Sequence, residues 1–259
     1  MIAVGAGART GRMLAYPFTG PLHVMHRGGH LVGLIMVSMI TAVLFDLDGT
    51  IFDRDGSLPR YLEAQHARVP SLSGIPLAEY VCRFQELDKH GHGGTLSVYS
   101  RILDEWNIDG VSAEDLNNDF HYGNGHLAVP FIGLHAMLDS LSSSGFRLGM
   151  VTNGDANHQA ATIEALGMAP RFGSIVISGV EGVRKPEAEI FQRALRRLDA
   201  KPENAVFVGD HPTVDIGGAR AVGMFAIWKK TDYWTAPVQM DGAIESLSEL
   251  SDLISGLGR

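Results

Sequence analysis

Five short runs rich in aliphatic and β-branched residues recur along this chain, at 40–45, 147–152, 174–178, 205–209 and 225–228. Each is nearly continuous in apolar character, the pattern of a strand covered on both faces. Between the later runs lie stretches with helical spacing, at 157–166, 187–198 and 214–222. Strands alternating with helices read as βαβ units, whose crossovers make the strands parallel. The expected fold class is therefore α/β, a doubly wound parallel sheet. A final amphipathic stretch at 244–254, with Ile244, Leu247, Leu250 and Ile254 on one face, is expected to close the domain as a helix.

Residues 57–127 break this rhythm. Their apolar residues keep helical spacing (Tyr61, Leu62, Ala64; Tyr80, Phe84, Leu87; Leu96, Tyr99, Ile102, Leu103, Trp106) and show no convincing strand. A helical insertion between the first and second strands is the economical reading. Residues 1–45 hold three arginines and no acid, leaving 18 basic against 29 acidic residues in the rest. The run 31–45 is too short for a membrane span, which needs about 20 apolar residues. A transit peptide would be richer in Ser than in Gly. Residues 1–38 are expected to be a poorly ordered extension, with a core from 39–56 and 128–259 and the insertion at 57–127. The glycines of Val4-Gly-Ala-Gly-Ala-Arg-Thr-Gly11 imitate a dinucleotide loop, but no strand has room to precede them and no acid follows before Asp46.

A net charge of −8 argues against non-specific nucleic-acid binding. The single cysteine, Cys82, excludes an intramolecular disulfide and suits a reducing cytoplasm. The expectation is a cytoplasmic monomer or homodimer, bound to neither membrane nor nucleic acid.

Chemistry concentrates where the apolar runs end. Val43-Leu-Phe-Asp46-Leu-Asp48-Gly-Thr50 places two acids, two residues apart, at the end of a buried strand. Such a pair implies a cation or a shared proton, since like charges repel and burial raises the cost. An EF-hand is excluded, because Ile51 and Ser57 stand where that loop needs Gly and Glu. The second run ends in Thr152-Asn153-Gly154-Asp155. Its hydroxyl and backbone N–H groups suit an anion, or Asp155 is merely a helix cap. Lys185-Pro186 precedes a helix and would pass for solvated surface alone. The fourth run ends in Gly209-Asp210, with Asp215 five residues on. Either acid could be a helix cap. Convergence changes the reading, because ligands of open α/β sheets bind at the carboxyl ends of the strands.

These four motifs, in this order, closely resemble the haloacid dehalogenase superfamily over about residues 40–230. The resemblance implies a Rossmann-like core with its first strand central, and a helical cap of the C1 type inserted after that strand. The subgroup it most resembles contains pyrimidine nucleotidases and sugar-phosphate phosphatases. It implies a phosphatase acting on a small phosphorylated metabolite. Asp46 would be the nucleophile and Asp48 the acid and then the base. Thr152, with Asn153 and Gly154, would hold phosphoryl oxygens, and Lys185 would neutralise charge on nucleophile and phosphate. Mg²⁺ would be bound by Asp46, Asp210 and the backbone carbonyl of Asp48. Asp215 would support the metal water or orient Lys185. His211 receives no role.

A phosphate and two carboxylates cannot assemble without such cations, so the chemistry agrees with the resemblance. Dehalogenases of the superfamily lack an acid matching Asp48, so its presence argues for phosphorus. A phosphomutase or a non-catalytic binding module is the alternative. Specificity would come from the cap, where Arg54, His90, His92, Arg101 and His121 are candidates, although each has a plainer reading as surface.

Overall fold

The computed structural model describes residues 39–257, so the expected extension at 1–38 lies outside the described residues. Six strands form one parallel sheet: β1 (Ala42–Phe45), β2 (Arg147–Thr152), β3 (Ser174–Ile177), β4 (Ala205–Gly209), β5 (Phe225–Lys229) and β6 (Gly242–Ile244). Their order is β3-β2-β1-β4-β5-β6, so β1 lies inside the sheet between β2 and β4. The chain winds one way from β1 to β3 and the other way from β4 to β6. The reversal leaves a crevice at the carboxyl ends of β1 and β4.

Alternation along β1 explains the two layers. Val43 and Phe45 join one apolar cluster with α5 (Leu134–Ser143), α6 (Ala156–Ala165) and α10 (Leu250–Leu257). Ala42 and Leu44 join another with α8 (Ala188–Arg197) on the opposite face. Successive side chains of a strand point to opposite faces, so both must be apolar when helices cover both.

Three features depart from the sequence reading. The stretch 244–254 is not one helix: Ile244 ends β6, and a turn from Leu247–Glu249 precedes α10. Ser246 and Glu249 form a capping box there, with Ser246 N–H donating to Glu249 Oε1 at 2.7 Å. Helix α5 and the short α7 (Ser178–Glu181) are additional elements. The helix expected at 214–222 is a π-helical turn, Pro212–Gly217, running into α9 (Gly218–Ala221).

Between β1 and β2 stand α1 (Arg54–Arg68), α2 (Leu77–Asp88), α3 (Thr95–Trp106) and α4 (Ala113–Gly123). They share an apolar cluster of their own, built around Leu62, Tyr80, Phe84, Tyr99 and Ile102. Gln65 is fully buried inside it, and its Oε1 accepts from Tyr80 at 2.6 Å and Tyr99 at 2.8 Å. Those bonds offset the desolvation of its amide.

The insert meets the core where Gly125 packs on α6. A Cβ there would lie 2.8 Å from Thr162 N and 2.9 Å from Ala161 Cβ and His158 O. Gly125→Ala is expected to destabilise the chain by about 1–3 kcal/mol through overpacking. Thermal melting would show it as a Tm loss of about 2–4 °C per kcal/mol; an unchanged Tm would mean that the contact is loose. Among the described residues, no helix is long and apolar enough to cross a membrane.

Candidate active site

Strand ends deliver the chemistry to one place. Asp46 follows β1 and is 5% exposed. Its backbone N–H still belongs to the sheet, donating to Val208 O at 2.9 Å, and Thr50 Oγ1 donates to its Oδ2 at 3.3 Å. Lys185 Nζ donates to the other oxygen of Asp46 and pairs with Asp215 Oδ1 at 2.7 Å. Asn153, at the end of β2, holds the Lys185 backbone from both sides. Its Oδ1 accepts from Lys185 N at 2.9 Å, and its Nδ2 donates to Lys185 O at 3.0 Å. Asn153 therefore carries the lysine across to the first motif.

Asp210, at the end of β4, accepts from Tyr233 OH at 3.1 Å, while its backbone carbonyl accepts from Trp228 Nε1 at 2.6 Å. Gly49 makes room for it. That residue has φ +75°, and a Cβ would sit 2.6 Å from Asp210 Oδ2, so both conformation and space require glycine. Asp215 accepts from His211 N at 3.0 Å. The cap of the π-helical turn is neither acid: His211 Nδ1 accepts from Thr213 N and Val214 N, each at 3.1 Å.

Oxygens of Asp46, Asp210 and Asp215, all buried, lie within 4.8 Å of one another. Lys185 is the cation buried among them. Burial, against the pull of Lys185, pushes the Asp46 carboxyl up to about 7. Burial, with Asp215 and Asp46 adding to it, pushes Asp210 up to about 8. Burial alone would lower the Lys185 ammonium, but Asp215 and Asp46 outweigh it and hold it above its ordinary range. Three acids against one lysine leave an excess of negative charge that only protons or another cation can relieve. An oxygen-only donor set of this kind fits a hard divalent cation such as Mg²⁺.

Asp48 stands outside that triad. Its Oδ2 accepts from Gln159 Nε2 at 2.7 Å, and the same nitrogen donates to Thr152 Oγ1 at 3.0 Å. Gly154 N–H is committed to Ser178 Oγ at 3.0 Å. Asp155 follows its plainer reading as the α6 cap, accepting from Asn157 N at 2.9 Å and His158 N at 3.1 Å.

Asp46, Asp48, Asn153, Lys185, Asp210 and Asp215 line one cleft of about 740 Å³, to which Arg54 adds its side chain and the insert adds His90, His92 and His121. Thr152, fully buried, is not among the residues that line it. Arg54 is less free than its charge suggests, being bidentate to Asp88 at 2.7 and 3.0 Å. His90 stacks on Tyr233 with ring centroids 3.7 Å apart, and its Nδ1 lies 2.7 Å from Asp55 Oδ2. His92 stands edge-on to Trp234 at 5.2 Å. Arg101 does not line the cleft; it pairs with Glu105 at 3.0 Å.

The sequence profile of haloacid dehalogenase-like hydrolases matches residues 40–223. The chain belongs to that family. Among the curated relatives of this haloacid dehalogenase-like hydrolase is a glyceraldehyde 3-phosphate phosphatase of Methanopyrus kandleri. It is 43% identical over 73% of this chain and 83% of its own length. A phosphoglycolate phosphatase of Rhodospirillum rubrum is 28% identical over 85% and 92%. The crystal structure of a HAD phosphatase from Thermococcus onnurineus, 26% identical, covers 84% of this chain and 99% of its own, with a TM-score of 0.58.

Four contributors to the site of this hydrolase escape sequence reasoning: Thr50, Gln159, His211 and Tyr233. Thr50 lies inside the first motif and so had a signal. His211 and Tyr233 lie on loops after β4 and β5, and Gln159 sits within α6. None of these three has a spacing that announces it.

Proposed function

We propose that this hydrolase of phosphate monoesters works through an aspartyl-phosphate on Asp46 and depends on Mg²⁺. The observation that carries the reading is Asp48. A second acid is held beside the Asp46 strand end, where a dehalogenase would have none. In the first half-reaction, Asp46 attacks phosphorus and the bond to the ester oxygen breaks. Asp48 gives that oxygen its proton. In the second half, Asp48, now a carboxylate, takes a proton from water as the water oxygen bonds to phosphorus. The Asp46–phosphorus bond breaks, and inorganic phosphate leaves with both acids restored.

Lys185 offsets charge on Asp46 and the phosphoryl group, and Asp215 keeps Lys185 in place. Thr152 binds a phosphoryl oxygen through its hydroxyl, beside the backbone of Asn153 and Gly154. Asp46, Asp210 and the backbone carbonyl of Asp48 would hold Mg²⁺, which would supply further positive charge at the phosphoryl oxygens. Residues 57–127 act as the cap over the core of 39–56 and 128–259, excluding bulk water from a polar site. The substrate is a small phosphorylated metabolite, as the names of the phosphatase relatives and the modest cleft support. The acidic balance supports a protein that does not bind nucleic acid non-specifically, and the lone Cys82 suits the cytoplasm, where we take it to act as a monomer or homodimer without membrane partners.

Phosphate release from glyceraldehyde 3-phosphate, 2-phosphoglycolate, nucleotides and sugar phosphates tests the reading. Activity should vanish in excess EDTA and return with Mg²⁺; full activity in EDTA would overturn the metal requirement. Stability supplies a second readout. Asp46 and Asp210 carry a reference value of 3.8 and, in the metal-free fold, about 7 and 8. The folded chain then keeps protons that the unfolded chain has released, so metal-free Tm should fall as pH rises from about 4 to 8. Mg²⁺ at 100 times its Kd should restore about 2.7 kcal/mol near pH 8. A Tm independent of both pH and Mg²⁺ over that range would contradict the charge excess.

A further inference from the structure

Gln159 is 2% exposed, and its Nε2 faces three acceptors: Asp48 Oδ2 at 2.7 Å, Thr152 Oγ1 at 3.0 Å and Asn153 O at 3.0 Å. The orientation of the amide follows from its neighbours. A backbone carbonyl can only accept, so the nitrogen and not the oxygen must face Asn153 O. Its own Oε1 is left buried without a hydrogen-bond partner. Burying an orphaned acceptor costs stability, so a side chain serving packing alone is poorly accounted for here. Room for the amide comes from Gly154, where a Cβ would lie 2.6 Å from Gln159 Nε2 and 2.8 Å from its Cγ.

We propose that Gln159 is a positioning residue for both half-reactions: its amide N–H fixes the Asp48 carboxylate. With Oδ2 of Asp48 occupied by the amide, Oδ1 is the oxygen left to exchange a proton with leaving group and water. This deepens the aspartyl-phosphate reading and rests on it.

The test compares two esters. p-Nitrophenyl phosphate has a leaving group that departs without a proton, whereas glycerol 2-phosphate releases an alkoxide that needs one. Gln159→Met keeps the volume and removes the donors. Its kcat/KM should fall about 100-fold on glycerol 2-phosphate and less than about tenfold on p-nitrophenyl phosphate, since only the first needs a well-placed acid. Rapid mixing with p-nitrophenyl phosphate should show a burst of about one nitrophenolate per site, because Asp48 is also misplaced for activating water. Gly154→Ala, which pushes the same amide aside, should show the same split. It decides the matter if the Met variant lacks a cooperative melt. Equal losses on both esters with no burst, in a folded variant, overturn the role of Gln159. A parallel Asp46→Asn arm separates the failures: turnover surviving there overturns the covalent reading itself.

Discussion

Asp46→Asn is expected to lower kcat/KM by about 10⁴-fold or more, the scale seen when a covalent nucleophile is removed. The substitution preserves volume at a site that is 5% exposed, so no cavity forms. It also removes one of three clustered buried acids, and burial holds that acid well above its ordinary value, at about 7. The metal-free variant should therefore melt no lower than wild type near pH 8. Beryllium fluoride should form an adduct with wild type in the presence of Mg²⁺ and none with the variant, because the adduct imitates a phosphoryl group on Asp46. Substantial turnover in the variant, together with no adduct in wild type, would rule out covalent catalysis at this residue.

Lys185→Met is expected to cost activity on a similar scale and to move stability the other way. Lys185 is 3% exposed and pairs with both Asp46 and Asp215. Removing it strands three buried carboxylates. Losing one member of a buried ion pair costs about 3–5 kcal/mol, and a lost charge-stabilising donor costs about 10²–10³ in kcat. The stability loss should be largest near pH 8 and smaller near pH 5. At the lower pH, Asp46 and Asp210 already hold protons, since their folded-state values are about 7 and 8. Urea titrations of the metal-free variant at the two pH values decide it. Equal losses would mean that the acids do not titrate in this range. The contrast with Asp46→Asn is informative in itself, for both variants lose activity while only one loses stability.

The strands were legible because each is a local, continuous apolar run that needs no partner to be recognised. Runs at 147–152 and 205–209 coincide with β2 and β4. Three-residue β6 was not legible. Gly242-Ala-Ile is too short to show a period, and its extended form depends on pairing with β5. Helix α5 did carry a signal, with Leu134, Met137, Leu138 and Leu141 at helical spacing. The Ser246 to Glu249 box likewise marks where the last helix turn begins. The cap candidates divide for a reason that spacing does not carry. Arg54 and Arg101 look equally basic in sequence, yet one turns into the cleft against Asp88 and the other outward against Glu105.

By itself, the sequence determined the layered α/β fold, the helical insert and the identity of Asp46, Asp48, Lys185 and Asp210 as the residues to examine. Asp46, Asp48 and Asp210 belong to short motifs at the ends of apolar runs, where local chain geometry puts residues at a strand's carboxyl edge, whereas Lys185 lies in a loop before a helix and was singled out by the family resemblance. Only the tertiary structure decided which oxygens share charge. Asp46, Asp210 and Asp215 gather around Lys185, while Asp48 is drawn aside by Gln159. The physical reason is range. Apolar periodicity acts over a few residues, whereas the field inside a buried cluster depends on ångström distances between groups as far apart along the chain as Asp46 and Asp215.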